Sequence, residues 1–108
     1  MLRDKASLMD ILESARIAVE HVGSKRMEEF VADIQCQDAV IRRLEMIGEA
    51  SRRISQETRE AYSELPWTAM IQMRNLLIHQ YDGIDIQIVY ETAVSDLPSL
   101  IESIEKIV

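Results

Sequence analysis

The stretch DKASLMDILESARIAVEHV, residues 4–22, indicates the fold class of this chain. Its apolar residues recur at intervals of three and four, which places them on one face of an α-helix rather than on alternate faces of a strand. Gly23 follows directly and can adopt the left-handed conformation that ends many helices. The pattern therefore predicts an amphipathic helix from Asp4 to Val22, with an apolar stripe formed by Leu8, Ile11, Leu12, Ala15, Ala18, Val19 and Val22.

The next part of the chain repeats this helical pattern with short interruptions. Ser24 is expected to be the N-cap of a short helical turn that runs through Phe30. A second long stripe predicts a helix over residues 33–54. Residues 55–65 are polar and are expected to form a short irregular helix. The first two thirds of the chain therefore contain two long helices and two short ones.

The last third predicts two further helices. Pro66 suits the first position of a helix that runs through Leu77, because its missing N–H has no helical partner there. Asp82-Gly83 is a turn signal that ends this helix. Asp85 can cap the final helix, which reaches the end of the chain, and Pro98 is expected to kink or break it.

No alternating strand pattern, internal repeat or linker interrupts these helices. With 108 residues, 47% of them hydrophobic, and only 3 Gly and 2 Pro, the chain has the size of one domain. We therefore predict a single all-α domain over residues 1–108, an antiparallel bundle of four to five helices. Helical domains of this size often extend their core by dimerising, so the size is compatible with a single domain or a pair.

The composition also bears on location and partners. The single cysteine, Cys36, cannot form an internal disulfide, which favours a reducing cytoplasm. The N-terminal residues mix charge with apolar side chains and no long apolar run follows, so neither secretion nor a membrane partner is expected. The net charge of -7 argues against a nucleic-acid partner, because phosphates bind mainly to cations.

The charge is unevenly distributed along the chain. Residues 1–41 carry -3 and residues 75–108 carry -5, whereas residues 42–74 carry +1. Arginines supply every cation of this middle part, and their forked side chains suit phosphate. The alternative is that most of them pair with one another and with glutamates along a solvated helix face. The six arginines are Arg42, Arg43, Arg52, Arg53, Arg59 and Arg74, and those of the pairing alternative are Arg42, Arg43, Arg52 and Arg53, with Glu45, Glu49 and Glu57.

The segment MRNLLIHQYDGID, residues 73–85, concentrates the polar chemistry of the chain. On a regular helix Asn75 and His79 share a face, and Arg74 can reach the same cleft with its long side chain. A histidine exchanges protons near neutral pH, and an arginine stabilises an anionic transition state. If the substrate is RNA, its own 2′-hydroxyl can attack the phosphorus, so no metal is needed. The alternative for these residues is a helix cap and a salt bridge.

The string R-x4-H-x-Y, formed by Arg74, His79 and Tyr81 with Asn75 after the arginine, resembles the signature of the HepT-like group of HEPN-domain proteins. The resemblance extends over nearly the whole chain. Its other landmarks are EEF-x-x-D at residues 28–33, AVIRRLEMIGEA at residues 39–50, LPW at residues 65–67 and LP-x-L at residues 97–100.

The resemblance implies an all-α homodimer of the HEPN type in which the R-x4-H motifs of two subunits face each other across a cleft. It implies the toxin of a toxin–antitoxin module, acting as an endoribonuclease without metal or cofactor. By the family pattern, His79 is the general acid or base, Arg74 binds the scissile phosphate and Asn75 makes a supporting polar contact. The implied partner is a minimal nucleotidyltransferase antitoxin that uses ATP to transfer AMP to Tyr81, which blocks RNA.

A second hypothesis stays open, that of a non-catalytic helical protein which binds its nucleotidyltransferase, or a nucleotide, through the same cleft. Other notable residues have ordinary structural explanations. His21 suits the end of the first helix, Cys36 is expected to be an inert thiol, and Trp67 is expected to pack in the core. Asp82 and Asp85 suit a turn and a helix cap better than a metal site.

Overall fold

The computed structural model describes residues 2–78 and 85–108, with side chains for residues 4–73 and 85–108. The described residues form helices and contain no strand. This confirms the predicted all-α architecture. The helices are α1 (Leu2–Val22), α2 (Met27–Val31), α3 (Ile34–Arg52), α4 (Gln56–Ala61), α5 (Trp67–Ile78), α6 (Ile86–Glu91) and α7 (Leu97–Ile107).

Helices α1 and α3 form the central pair of the bundle. Two hydrogen bonds show that they run antiparallel. One joins the end of α1 to the start of α3, and the other joins the start of α1 to the N-cap of α4, three residues after α3 ends. The Cys36 thiol donates to the His21 carbonyl at 3.2 Å, and the Ser55 amide donates to the Asp4 carboxylate at 3.2 Å. Helix α5 packs against α3 and helix α7 packs against α1, so each helix of the central pair contacts one further long helix.

The predicted apolar stripe of α1 is buried in the core, with Val19 partly buried at its edge. The stripes of α3 and α7 close over it. In the described residues, the largest apolar side chains with almost no exposed surface are Phe30, Leu8, Ile11, Leu44, Ile47, Met70, Leu97 and Ile104. No helix in the described parts of the chain is long and apolar enough to cross a membrane.

Two helix ends lie where local signals predicted them, the end of α1 at Gly23 and the cap at Asp85. Gly23 has a φ of 55°, and its amide donates to the Val19 carbonyl as α1 ends. Asp33 and Ser55 cap α3 and α4, and Asp85 caps α6 by accepting hydrogen bonds from two backbone amides. These caps satisfy amides that have no partner inside their helices.

Two predicted helix starts were wrong by one or more residues. The N-cap of α2 is Arg26 rather than Ser24, because the Glu29 carboxylate accepts from the Arg26 amide at 2.9 Å and fixes the start there. Helix α5 begins at Trp67, and Pro66 precedes it with its carbonyl accepting from the Met70 amide.

The expected effect of Pro98 takes a different form from a break. Residues Thr92–Asp96 form a π-helical turn between α6 and α7, and the backbone stays helical from Glu91 through Leu97. Proline lacks an amide hydrogen and its ring crowds the carbonyl four residues earlier, so a widened turn before Pro98 accommodates it. The backbone is therefore helical without interruption from the start of α6 to the end of α7.

Candidate functional site

The R-x4-H-x-Y string lies at the end of α5 and in the segment that follows it. Arg74 and Asn75 belong to α5, whose helix continues through Ile78. His79 and Tyr81 lie outside the described residues, as does the predicted Asp82-Gly83 turn. The expectation that Asn75 and His79 share a helix face therefore stays a prediction.

The first half of α5 is firmly anchored in the bundle. Trp67 is 7% exposed, and its indole Nε1 donates to the Tyr62 carbonyl at 2.9 Å. This confirms the prediction that Trp67 packs in the core. Met70, one turn later, is 2% exposed, and the helix as a whole packs against α3. The backbone that carries the motif is thus fixed from its N-terminal side.

The register of α5 relates Arg74 to these two anchors. A regular helix turns about 100° per residue, so the Cα of Arg74 lies about 20° around the axis from that of Trp67 and about 40° from that of Met70. The Cα of Asn75 lies about 80° from that of Trp67, at the flank of the same face. The backbone therefore places Arg74 on the side of α5 that holds the core anchors.

The other border of the motif segment is anchored too. The Asp85 carboxylate accepts from the amides of Gln87 at 3.0 Å and Ile88 at 3.3 Å, which starts α6. The Tyr90 hydroxyl donates to the Lys25 carbonyl at 2.7 Å, and the ring of Tyr90 lies 5.4 Å from that of Phe30. Residues 79–84 therefore join two helices that are each held by the bundle.

Two arginines of residues 42–74, Arg53 and Arg59, contact partners on other helices. Arg53 pairs with Asp10 of α1 at 3.1 Å and also donates to the Ser7 hydroxyl. Arg59 donates to the carbonyls of Ser51 and Arg52, and so caps the C-terminal end of α3. These two arginines stabilise the fold, which the local pattern did not reveal because their partners come from other helices.

The described residues contain no group of three His, Cys, Asp or Glu side chains that could hold a metal ion. Asp85 is occupied as a helix cap. Burial raises the pKa of the Cys36 thiol, which is 7% exposed and donates its hydrogen to a backbone carbonyl. Cys36 is thus a protonated core side chain at neutral pH, as the inert-thiol prediction requires.

A family profile described as ribonuclease HepT-like matches residues 11–107. The chain belongs to the HepT-like ribonuclease family. This confirms the resemblance found from the motif and its landmarks. The matched range includes Arg74, Asn75, His79 and Tyr81, and it extends from the core stripe of α1 to the end of α7.

Several relatives of this HepT-like chain are similar over most of its length. The probable ribonuclease HepT of Thermococcus cleftensis is 40% identical over 103 residues, which are 95% of this chain and 94% of that protein. A candidate RNase of Methanocaldococcus jannaschii is 42% identical over 101 residues, 94% of this chain and 93% of that protein.

A third relative is longer. The Methanocaldococcus jannaschii protein named as a gamma-glutamylcyclotransferase and candidate RNase is 41% identical over 103 residues. These residues are 95% of this chain and 46% of that protein, so the HepT-like chain spans about half its length. No solved structure matches the chain significantly.

Proposed function

We propose that this HepT-like chain is a metal-independent endoribonuclease in which Arg74 and His79 are the catalytic residues and Asn75 supports them. The observation that carries this proposal is the family match over residues 11–107, which contains an intact R-x4-H-x-Y string. The relatives named as ribonucleases support it. The anchored α5 supports it further, since catalytic groups need a rigid base.

The proposed reaction uses the substrate's own nucleophile. The 2′-oxygen of RNA forms a bond to the adjacent phosphorus while the bond from phosphorus to the 5′-oxygen breaks. His79 accepts the proton of the 2′-hydroxyl or donates one to the departing 5′-oxygen, and a water or a second His79 does the other. The guanidinium of Arg74 stabilises the negative charge on the phosphorane.

The charge of the chain shapes how RNA binds. Residues 42–74 carry +1, whereas the two flanking parts carry -3 and -5, so unselective RNA affinity is weak. A homodimer with facing motifs would bring two copies of Arg74 and His79 into one cleft and concentrate the positive charge there. Cleavage then depends on a small, focused site.

The same site suggests a means of silencing. We propose that the chain is the toxin of a toxin–antitoxin module, and that a minimal nucleotidyltransferase partner uses ATP to transfer AMP to Tyr81. Tyr81 follows His79 by two residues, so the added phosphate places a negative charge beside the catalytic residues. This charge and the bulk of the adenosine exclude the RNA backbone.

The test of catalysis compares the wild-type chain and His79→Ala with labelled RNA in EDTA. The expected result is cleavage by wild type and a loss of at least about a hundred-fold in the variant. Equal cleavage by both would contradict the catalytic proposal, and no cleavage by either would favour the non-catalytic partner instead. Size-exclusion chromatography with light scattering measures the molar mass and so tests the proposed dimer. A molar mass of the monomer alone at micromolar concentration would contradict it.

A further inference from the structure

A groove separates α5 from α7 on the surface of the bundle. Helix α5 packs against α3 and α7 packs against α1, and in the described residues α5 and α7 have little contact with each other. The space between them is a groove of about 400 Å³. Most of the residues that line it are apolar or small, and the apolar ones include Met70 and Met73 of α5 and Leu97 and Leu100 of α7. The bundle therefore has room for a further helix on its surface, between α5 and α7.

Small residues form the walls of this groove. Ala69 is exposed on the α5 side, and Ser99 and Ser103 stand one turn apart on the α7 side. Small side chains let a helix backbone approach closely, and methionines adapt their shape to the apolar side chains of a partner. An amphipathic helix with apolar residues at intervals of three and four matches a groove of this kind.

The charged residues that line the groove indicate which kind of molecule can bind in it. Its charged lining residues are Glu64 and Asp96, and no cation lines it among the side chains that the structure describes, residues 4–73 and 85–108. Asp96 makes no capping hydrogen bond, and Arg59, five residues before Glu64, is engaged with the carbonyls at the end of α3. These carboxylates repel RNA, and a symmetric second copy would bring the same carboxylates together. They attract a basic partner.

We propose that this groove binds a basic amphipathic helix of a partner protein. The apolar side chains of that helix lie on Met70, Met73 and Leu100, and its lysines or arginines meet Glu64 and Asp96. The proposal uses neither the R-x4-H-x-Y string nor RNA cleavage, so it stands or falls separately from the ribonuclease proposal.

The first experiment measures binding of two fluorescein-labelled peptides of about 18 residues, five helical turns, by fluorescence anisotropy. Both have leucines at helical spacing; one has lysines at the remaining positions and the other has glutamates. The lysine peptide is expected to bind wild-type protein at least about ten-fold more tightly, with an affinity that falls as salt rises. Equal binding of the two peptides would overturn the charge argument.

The second experiment fills the groove. Ala69→Trp places a large ring on the groove wall, and Ala61→Trp makes the same change on an exposed alanine of α4 outside the groove. Ala69→Trp is expected to weaken the lysine peptide at least about ten-fold and Ala61→Trp to leave it unchanged. An unchanged affinity in Ala69→Trp would refute the site. Conversion of a wild-type dimer to monomer by Ala69→Trp would show that a second copy occupies the groove, and would also refute the proposal.

The third experiment separates local charge from net charge. Glu64→Lys with Asp96→Lys reverses the groove, and Glu13→Lys with Glu20→Lys makes the same change in net charge on the exposed side of α1. The groove variant is expected to lose the preference for the lysine peptide, and the α1 variant to retain it. If both variants lose the preference equally, net charge explains the binding and the groove does not.

Discussion

The hydroxyl of Thr58 donates a hydrogen bond to the carboxylate of Asp4 at 2.5 Å, which joins residues 54 positions apart in a buried contact. The Ser55 hydroxyl donates to the same carboxylate at 2.6 Å and the Ser55 amide at 3.2 Å. Asp4 is only 2% exposed. One carboxylate therefore holds the start of α1 against the start of α4.

This contact predicts an acid-sensitive part of the stability. Hydrogen bonds from Ser55 and Thr58 lower the pKa of Asp4 from 3.8 to about 2. Because the folded-state pKa lies below the unfolded value, the stabilisation is complete above about pH 4 and is lost as the pH falls toward 2. Asp4→Asn is expected to lower the free energy of unfolding at pH 7 by about 2 kcal/mol, measured by urea unfolding.

The matched control is Asp10→Asn. Asp10 also bonds to a side chain of another segment, Arg53, but that pair is about half exposed. Exposed ion pairs contribute less than about 1 kcal/mol, so this variant should remain close to wild type. If the free energy of unfolding of Asp4→Asn falls between pH 4 and pH 2 by as much as that of wild type, another carboxyl group is responsible for the acid sensitivity.

The sequence predicted those parts of the fold that depend on local chemistry. The apolar period of residues 4–22 and the cap Asp85 each act within a few residues, and the structure confirms them. The contact of Asp4 with Thr58 could not be predicted in this way, because it pairs helices whose neighbourhood is set by the folded bundle. The same holds for Arg53, whose partner is on α1.

In the candidate site, too, the local features could be predicted from the sequence and the contacts between distant segments could not. The R-x4-H-x-Y string is a local pattern, so it could be recognised without a structure, and the family match bears out the recognition. Two hydrogen bonds hold the borders of the site, one from Trp67 to the Tyr62 carbonyl and one from Tyr90 to the Lys25 carbonyl. The second depends on chain segments that only folding brings together. The groove between α5 and α7 was missed because no single segment encodes the gap between two helices.

Gly23 provides a test of the turn after α1. Its φ of 55° is a conformation that side chains with a Cβ rarely adopt, whereas a Cβ there would lie 3.5 Å from the Glu20 carbonyl oxygen, an ordinary contact. Gly23→Ala is therefore expected to cost about 1 kcal/mol through backbone conformation alone. Gly23→Asn should cost less, because asparagine tolerates this region better. Equal losses for the two variants, measured by thermal unfolding, would contradict this explanation.

Cys36 is expected to be unreactive in the native protein. Burial raises the pKa of its thiol, and the reactive form of a cysteine is the thiolate. Modification by a thiol-specific reagent at pH 7.5 should be at least about ten-fold slower in the folded protein than in denaturant. Cys36→Ala should leave RNA cleavage unchanged. Rapid modification of the folded protein would show that the thiol is accessible and ionised.

Arg74→Lys tests whether the arginine acts by geometry as well as charge. Lysine keeps the positive charge but cannot hold two phosphate oxygens with a planar fork. We expect RNA cleavage to fall by about a hundred-fold in kcat. Arg52→Lys, an exposed arginine at the end of α3, is the control and should cleave at the wild-type rate. Full activity in Arg74→Lys would limit the role of Arg74 to nonspecific attraction of RNA.

Tyr81→Phe tests the proposed silencing and leaves the proposed catalytic residues Arg74 and His79 in place. The hydroxyl is the only group on this side chain that can accept AMP, so the variant should incorporate none when incubated with the partner nucleotidyltransferase and ATP. Its cleavage rate should then stay at its own starting value, whereas the wild-type rate falls. Tyr62→Phe, which removes a hydroxyl from a half-buried tyrosine outside the motif, should be silenced like wild type. Mass spectrometry of the tyrosine-containing peptides provides the second readout. AMP found on Tyr62 or Tyr90, or silencing of Tyr81→Phe, would place the modification elsewhere.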